Sequence, residues 1–174
     1  MQERHKNRTL HFHELAQTCR KYFIPYIGQF KQLGHDCRIW EIGFGDGGNL
    51  LPFAQMGCYT LGVDIDEGRI TDARKFFAYC NAKGDFIASD VFLLEELHGL
   101  FDIIICHDMI EHIGDKQRFL SMLPQFLAKD GTLWLINPHY ETKFGLRPRR
   151  LWAIFSHIPY LRNCFTTSAL YLFR

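Results

Sequence analysis

The 174-residue chain predicts an α/β protein built on a doubly wound, mostly parallel sheet with helices on both faces. Strand-like and helix-like segments alternate along it with no hairpin signal between them, the pattern of βαβ units. The run Phe-Asp-Ile-Ile-Ile-Cys at 101–106 is almost continuously apolar, as strands buried on both faces of a parallel sheet are. Between one strand and the next helix lies a cluster of glycines at 43, 45, 47 and 48, where the backbone can turn tightly and a ligand can approach it.

Taken in order, residues 13–33 carry Leu15, Cys19, Tyr22, Phe23, Tyr26, Ile27 and Phe30 at helical spacing. Pro25 is expected to kink this helix or divide it in two. Strands are expected at 38–42, 59–63, 85–89, 101–106 and 132–136, with helices at 48–56, 67–81 and 115–128. Trp40 and Trp134 fall inside strands and are expected in the core. Crossovers between parallel strands are right-handed, so the helices cover both faces and any ligand binds where the strands end. Near the C-terminus 147–157 reads as a helix, and 165–173 has the β-branched and aromatic content of a strand.

Length and composition are those of a single domain: an N-terminal helical segment over 1–35, a core over 36–138, and a basic, aromatic segment over 139–174. Net charge is +1, which gives no global field for nucleic acid. The tail holds six of the basic residues against the single acid Glu141. Cysteines at 19, 37, 58, 80, 106 and 164 form no C-x-x-C pair, so neither structural zinc nor a disulfide framework is expected. Residues 1–9 are polar and basic with no apolar stretch behind them, and no run approaches a membrane span. A cytoplasmic location is expected.

The strand ends bring together polar groups. Glu41 and the glycine loop belong to the first, Asp64 to the second and Asp90 to the third. His107, Asp108, Glu111 and His112 come after the fourth, and Asn137, Pro138 and His139 after the fifth. Asp64 lies about twenty residues beyond the first glycine, where a carboxylate can accept the hydroxyls of a ribose.

In this order and spacing the chain resembles the class I S-adenosylmethionine-dependent methyltransferases over about 36–138. The likeness is greatest to their small-molecule branch, which includes the ubiquinone-biosynthesis methyltransferases. Glu41-Ile42-Gly43-Phe44-Gly45-Asp46-Gly47 is similar to the family's E-x-G-x-G-x-G loop, which implies that Glu41, Gly43, Phe44, Gly45 and Gly47 wrap the methionine end of S-adenosyl-L-methionine. The resemblance further implies that Asp64 takes the ribose hydroxyls, that Ile65 packs near the adenine, and that Asp90 with Val91 meets the adenine edge. The segment 127–133 resembles the usual entry to the fifth strand, with Asp130 where a Gly or Pro is common. The family ends its sheet with two further strands, the last antiparallel. Here that strand pair is expected to be shortened, with 165–173 as the terminal strand.

Methyl transfer is an in-line displacement, so the protein's main task is to hold donor and acceptor collinear in a dry pocket. His107 and His112 are the candidates on the acceptor side, with His107 also beside the cofactor; the plain alternative is a histidine that hydrogen-bonds the end of its strand. No metal is expected, although Asp108, Glu111 and His112 with a distant His139 would form a ligand set similar to that of some relatives. The acceptor is expected to be a small or lipid-like molecule. The tail's Arg147, Arg149, Arg150 and Arg162, interleaved with Trp152, Phe155 and Tyr160, suit peripheral contact with an anionic membrane. Two other functions fit parts of the pattern. Gly43-x-Gly45-x-x-Gly48 also satisfies the fingerprint of an NAD(P)-dependent oxidoreductase, and an intact loop is equally compatible with a non-catalytic binding module.

Overall fold

The computed structural model describes residues 7–136 and 171–173. The expected helix at 147–157, the strand-end residues Asn137, Pro138 and His139, the basic tail and most of the expected strand at 165–173 lie outside them.

Helix α1 (Arg8–Thr18) starts at Asn7, whose side chain accepts a hydrogen bond from the Leu10 N–H. It runs without a break through a π-helical turn (Cys19–Phe23) into α2 (Ile24–Ile27). Pro25 does not divide it. A proline cannot close the bond back to residue 21, and its ring crowds that carbonyl; widening the preceding turn relieves both conflicts. The wider turn also changes the buried face. Phe12, Ala16, Cys19, Phe23 and Ile27 are buried, whereas Tyr22 and Phe30, which share the helical spacing, are exposed.

Strands β1 (Arg38–Ile42), β2 (Tyr59–Asp64), β3 (Asp85–Ala88), β4 (Phe101–His107) and β5 (Leu127–Ile136) form a parallel sheet in the order β3-β2-β1-β4-β5. Strand β6 (Tyr171–Phe173) adds antiparallel to β5, pairing Tyr171 with Leu135 and Phe173 with Leu133. This is the doubly wound α/β arrangement, with the order reversing between β1 and β4. Helices α3 (Leu50–Gln55) and α4 (Glu67–Tyr79) join α1 and α2 on one face, packing Phe12, Phe53 and Phe77 over Ile39, Ile103, Ile105 and Trp134. Helix α5 (Lys116–Phe126) covers the other face, packing Phe119, Leu123 and Phe126 over Trp40, Ile42, Ile104 and Leu133. Both tryptophans are fully buried, as expected. Alternation along β1 sends Ile39 and Glu41 to the first face and Trp40 and Ile42 to the second.

One strand differs from expectation. Leu127 already pairs with Phe101, and pairing resumes at Thr132 with Ile103, so 128–131 form an irregularity that starts β5 five residues early. Asp130 in this loop has φ +62°, a left-handed conformation that costs an L-residue about 1–2 kcal/mol. Asp130→Gly removes that strain but gives the unfolded chain more freedom, a loss of about 0.5 kcal/mol or more. The net expectation is a gain of about 0.5 kcal/mol, read as a higher urea midpoint.

A candidate cofactor crevice at the strand switch

The parallel strands deliver their C-terminal residues to one edge of the sheet. At the reversal between β1 and β4, the glycine loop after β1 faces His107 at the end of β4. The Gly43 N–H bonds the Val63 carbonyl at 2.8 Å and fixes the loop to the end of β2. Its four glycines do different work. A Cβ on Gly43 would lie 2.5 Å from Met109 Cγ, and one on Gly48 would lie 2.4 Å from the Phe12 carbonyl oxygen. Gly47 (φ +84°) is packed by Phe77 and Phe44. Gly45 (φ +59°) alone among them meets nothing within 4 Å, so its bare face is the one a ligand can lie against.

Beside Gly45 stands Asp64. Its Oδ2 accepts the Gly45 N–H at 3.2 Å and its Oδ1 accepts the Asp66 N–H at 3.0 Å, so two backbone donors aim the carboxylate at the loop. Ile65 comes next with its side chain 80% exposed, an apolar surface at the rim where a flat base could rest. Asp90 is exposed and caps the short 3-10 turn Val91–Leu93 by accepting the Phe92 N–H. Three residues depart from the sequence expectation. Glu41 is buried and turns its carboxyl to Asn49 beneath the loop. Phe44 turns its ring into the core against Gly62 and Phe86, and Val91 is buried in the apolar cluster on the α5 face, so only their backbones are available to a ligand.

Beneath the loop runs a chain of polar side chains that the sequence did not suggest. Asn49 Nδ2 donates to Glu41 Oε1 at 2.7 Å and lies 3.1 Å from His107 Nδ1, linking β1 to β4 across the reversal. Asn49 opens a helix but makes no capping bond, which frees its amide for this contact. Burial pushes the Glu41 carboxyl up to about 8, partly opposed by Asn49 and reinforced by the charge of Asp64. An amide N–H can only donate, so His107 accepts at Nδ1 and carries its proton on Nε2, 3.7 Å from Asp108 Oδ2. The ring also meets Phe23 edge-on at 5.6 Å. His112 and Glu111 are exposed in the 3-10 turn Ile110–His112. Among the described residues no group of three His, Cys, Asp or Glu is placed to hold a metal ion, and His139 lies outside them.

A second cluster was also missed. Asp46, fully buried in the loop, accepts from Arg69 of α4 at 2.7 Å and meets His11 of α1 at 3.1 Å. Burial alone would raise its carboxyl, but the His11 and Arg69 hydrogen bonds outweigh that and hold it below the ordinary value. A carboxyl lowered by folding stabilises the native state above its unfolded value and loses that contribution as pH falls through the folded one. Asp46→Asn is therefore expected to lower the urea midpoint at neutral pH. The deficit should close as pH drops below the ordinary carboxyl value of 3.8.

A bare glycine face, a neighbouring carboxylate and an apolar rim at a strand reversal define a nucleoside-cofactor site of the doubly wound α/β class. The chain belongs to the methyltransferase domain family, whose pattern matches residues 40–135. It is 30% identical over 95 residues to a ubiquinone biosynthesis O-methyltransferase of Rickettsia akari, covering 53% of this chain and 37% of that protein. It is 29% identical over 98 residues to the protein of the same description in Sinorhizobium medicae, covering 56% and 40%. The chain thus spans less than half the length of these curated relatives. Among solved structures it is similar to PKMT2 from Rickettsia typhi in complex with AdoHcy, at 25% identity and a TM-score of 0.58 over 64% of this chain and 24% of that one. The PH0226 protein of Pyrococcus horikoshii shares the fold at a TM-score of 0.63 and 20% identity, over 72% and 59%. Among the described residues no helix is long and apolar enough to cross a membrane.

Proposed function

We propose that this chain binds S-adenosylmethionine and transfers its methyl group to a small or lipid-like acceptor. The observation that carries the proposal is the open face of Gly45 beside the backbone-aimed carboxylate of Asp64, within a chain of the methyltransferase family. When bound, the cofactor supplies an activated methyl on its sulfonium. The residues supply the rest. Gly43, Gly45 and Gly47 offer backbone to the methionine end, Asp64 accepts the ribose hydroxyls, and Ile65 and Asp90 border the adenine. His107, held by Asn49 and Phe23 at the end of β4, borders the acceptor side. With its Nδ1 engaged and Nε2 protonated, it is suited to donate a hydrogen bond that orients the acceptor. We place the reaction in the cytoplasm, a reading supported by the five cysteines among the described residues, all of them free thiols.

The dinucleotide reading is weaker. It explains the glycine loop but gives no role to Glu41, which its fingerprint does not require. Calorimetric titration separates the two. Saturable binding of S-adenosylmethionine without binding of a nicotinamide dinucleotide is expected, and the reverse would sink the assignment. Contact of the basic 139–174 segment with an anionic membrane forms part of the same proposal, supported by composition. Co-sedimentation with anionic vesicles at low salt is the expected result, and its absence removes the membrane contact.

A further inference from the structure

Glu41 is 1% exposed, and its Oε1 accepts the amide of Asn49. Its Oε2 and the neighbouring Asn49 Oδ1 are both buried acceptors with no donor among the described residues. A buried carboxylate in such a place lacks the cation or the further donors that would stabilise its charge. The groups that face it do not supply them. Asp64 from β2 is itself an acid whose charge disfavours ionisation of Glu41. Cys19 from the N-terminal helix and Cys106 from β4 are buried thiols that burial, reinforced by Glu41, drives upward and keeps neutral. His107 from β4 meets the far side of Asn49, at 3.1 Å from its Nδ2. A proton on the carboxyl removes the uncompensated charge.

We propose that Glu41 is protonated in the empty crevice and releases that proton when the cationic S-adenosylmethionine enters. The inference rests on the cofactor assignment above. The Glu41 O–H bond breaks, its electron pair stays on the carboxylate, and the proton passes to solvent; the ligand's positive charge takes its place. Asp64 gives the sign. A negative charge at the rim of the crevice already acts on Glu41 to favour its neutral form, so a positive charge brought to the same crevice favours the ionised one. Because the empty-state carboxyl titrates at about 8, affinity should rise up to tenfold per pH unit below that value and level off above it.

The test is calorimetric titration of the protein with S-adenosylmethionine at neutral pH in two buffers of different ionisation enthalpy. Release of about half to one proton per ligand is expected from the wild type. Glu41→Gln keeps an acceptor for Asn49 but cannot ionise, and should bind with heat independent of buffer. Infrared difference spectra of the wild type alone give a second readout, in which the carbonyl band of a protonated carboxyl disappears on binding. Saturable binding with equal heats in both buffers and no loss of that band would falsify the proposal while leaving the cofactor assignment intact, and so would proton release that survives in Glu41→Gln. Absence of any saturable binding overturns the cofactor assignment, and this inference with it.

Discussion

Asp64→Ala is expected to weaken S-adenosylmethionine binding by roughly ten- to a hundredfold, the equivalent of about 1.5–3 kcal/mol for hydrogen bonds to a charged group. The carboxylate is aimed by two backbone N–H groups from residues 45 and 66, so it meets a diol without reorganising. Asp64→Asn keeps one acceptor and loses the charge, and should fall between the two. The thermal midpoint should move little, because Asp64 is only half-buried and solvent can satisfy the freed donors. Titration calorimetry with a melting curve reads both. An affinity unchanged by Asp64→Ala would remove this residue from the ribose site. The same substitution removes a charge that holds Glu41 protonated, so proton release on binding should also diminish.

Phe12→Ala should cost about 3–5 kcal/mol of folding stability, a large share of the ~5–15 kcal/mol of a typical domain. The ring is fully buried, stacks on Phe76 with centroids 4.6 Å apart, and meets Phe77 edge-on at 6.5 Å. Its own carbonyl lies against Gly48, so loss of the ring loosens both the helix and the loop beneath it. Urea denaturation gives the stability, with Phe12→Leu expected to retain more than half of it. Cofactor affinity should fall in the same order, Leu before Ala. A variant that loses stability but keeps full affinity would show that α1 does not restrain the loop.

Much of the fold was legible because the core strands are short and buried on both faces. The apolar run at 101–106 left no alternative to a central strand, and β4 proved to be one with Ile103, Ile104 and Ile105 fully buried. Segments shaped by distant contacts were less legible. The N-terminal helix was expected to kink or divide at Pro25, but a proline reports only its own local conflict, and the π-turn before it lets the helix continue. The early start of β5 depends on pairing with Phe101, which local propensity does not encode.

The candidate site divides the same way. Four glycines can be counted in the sequence, but only the fold shows that Met109, Phe77 and Phe12 occupy the space beside three of them and leave Gly45 open. Asn49 reads as a helix-start residue, because Asn commonly caps helices; its role depends on Glu41 and His107, the latter 58 positions away. Asp46 was a variable position within the loop motif until Arg69 and His11 closed on it. Phe44 and Val91 were placed by motif order alone, which cannot tell a side chain's direction from its backbone's.

The π-turn at Cys19–Phe23 joins two halves of one continuous helix that grip different partners. Each residue added to an α-helix rotates the remainder of the helix by about 100°. The wide turn is where this chain takes up the rotational mismatch between a half gripping the glycine loop through Phe12 and a half gripping the sheet through Phe23 and Ile27. Shortening it by a single residue would turn the first half's buried stripe toward water while the second half stayed seated. The spacing between positions 12 and 23 therefore acts as a ruler, and its length matters as much as the side chains it carries.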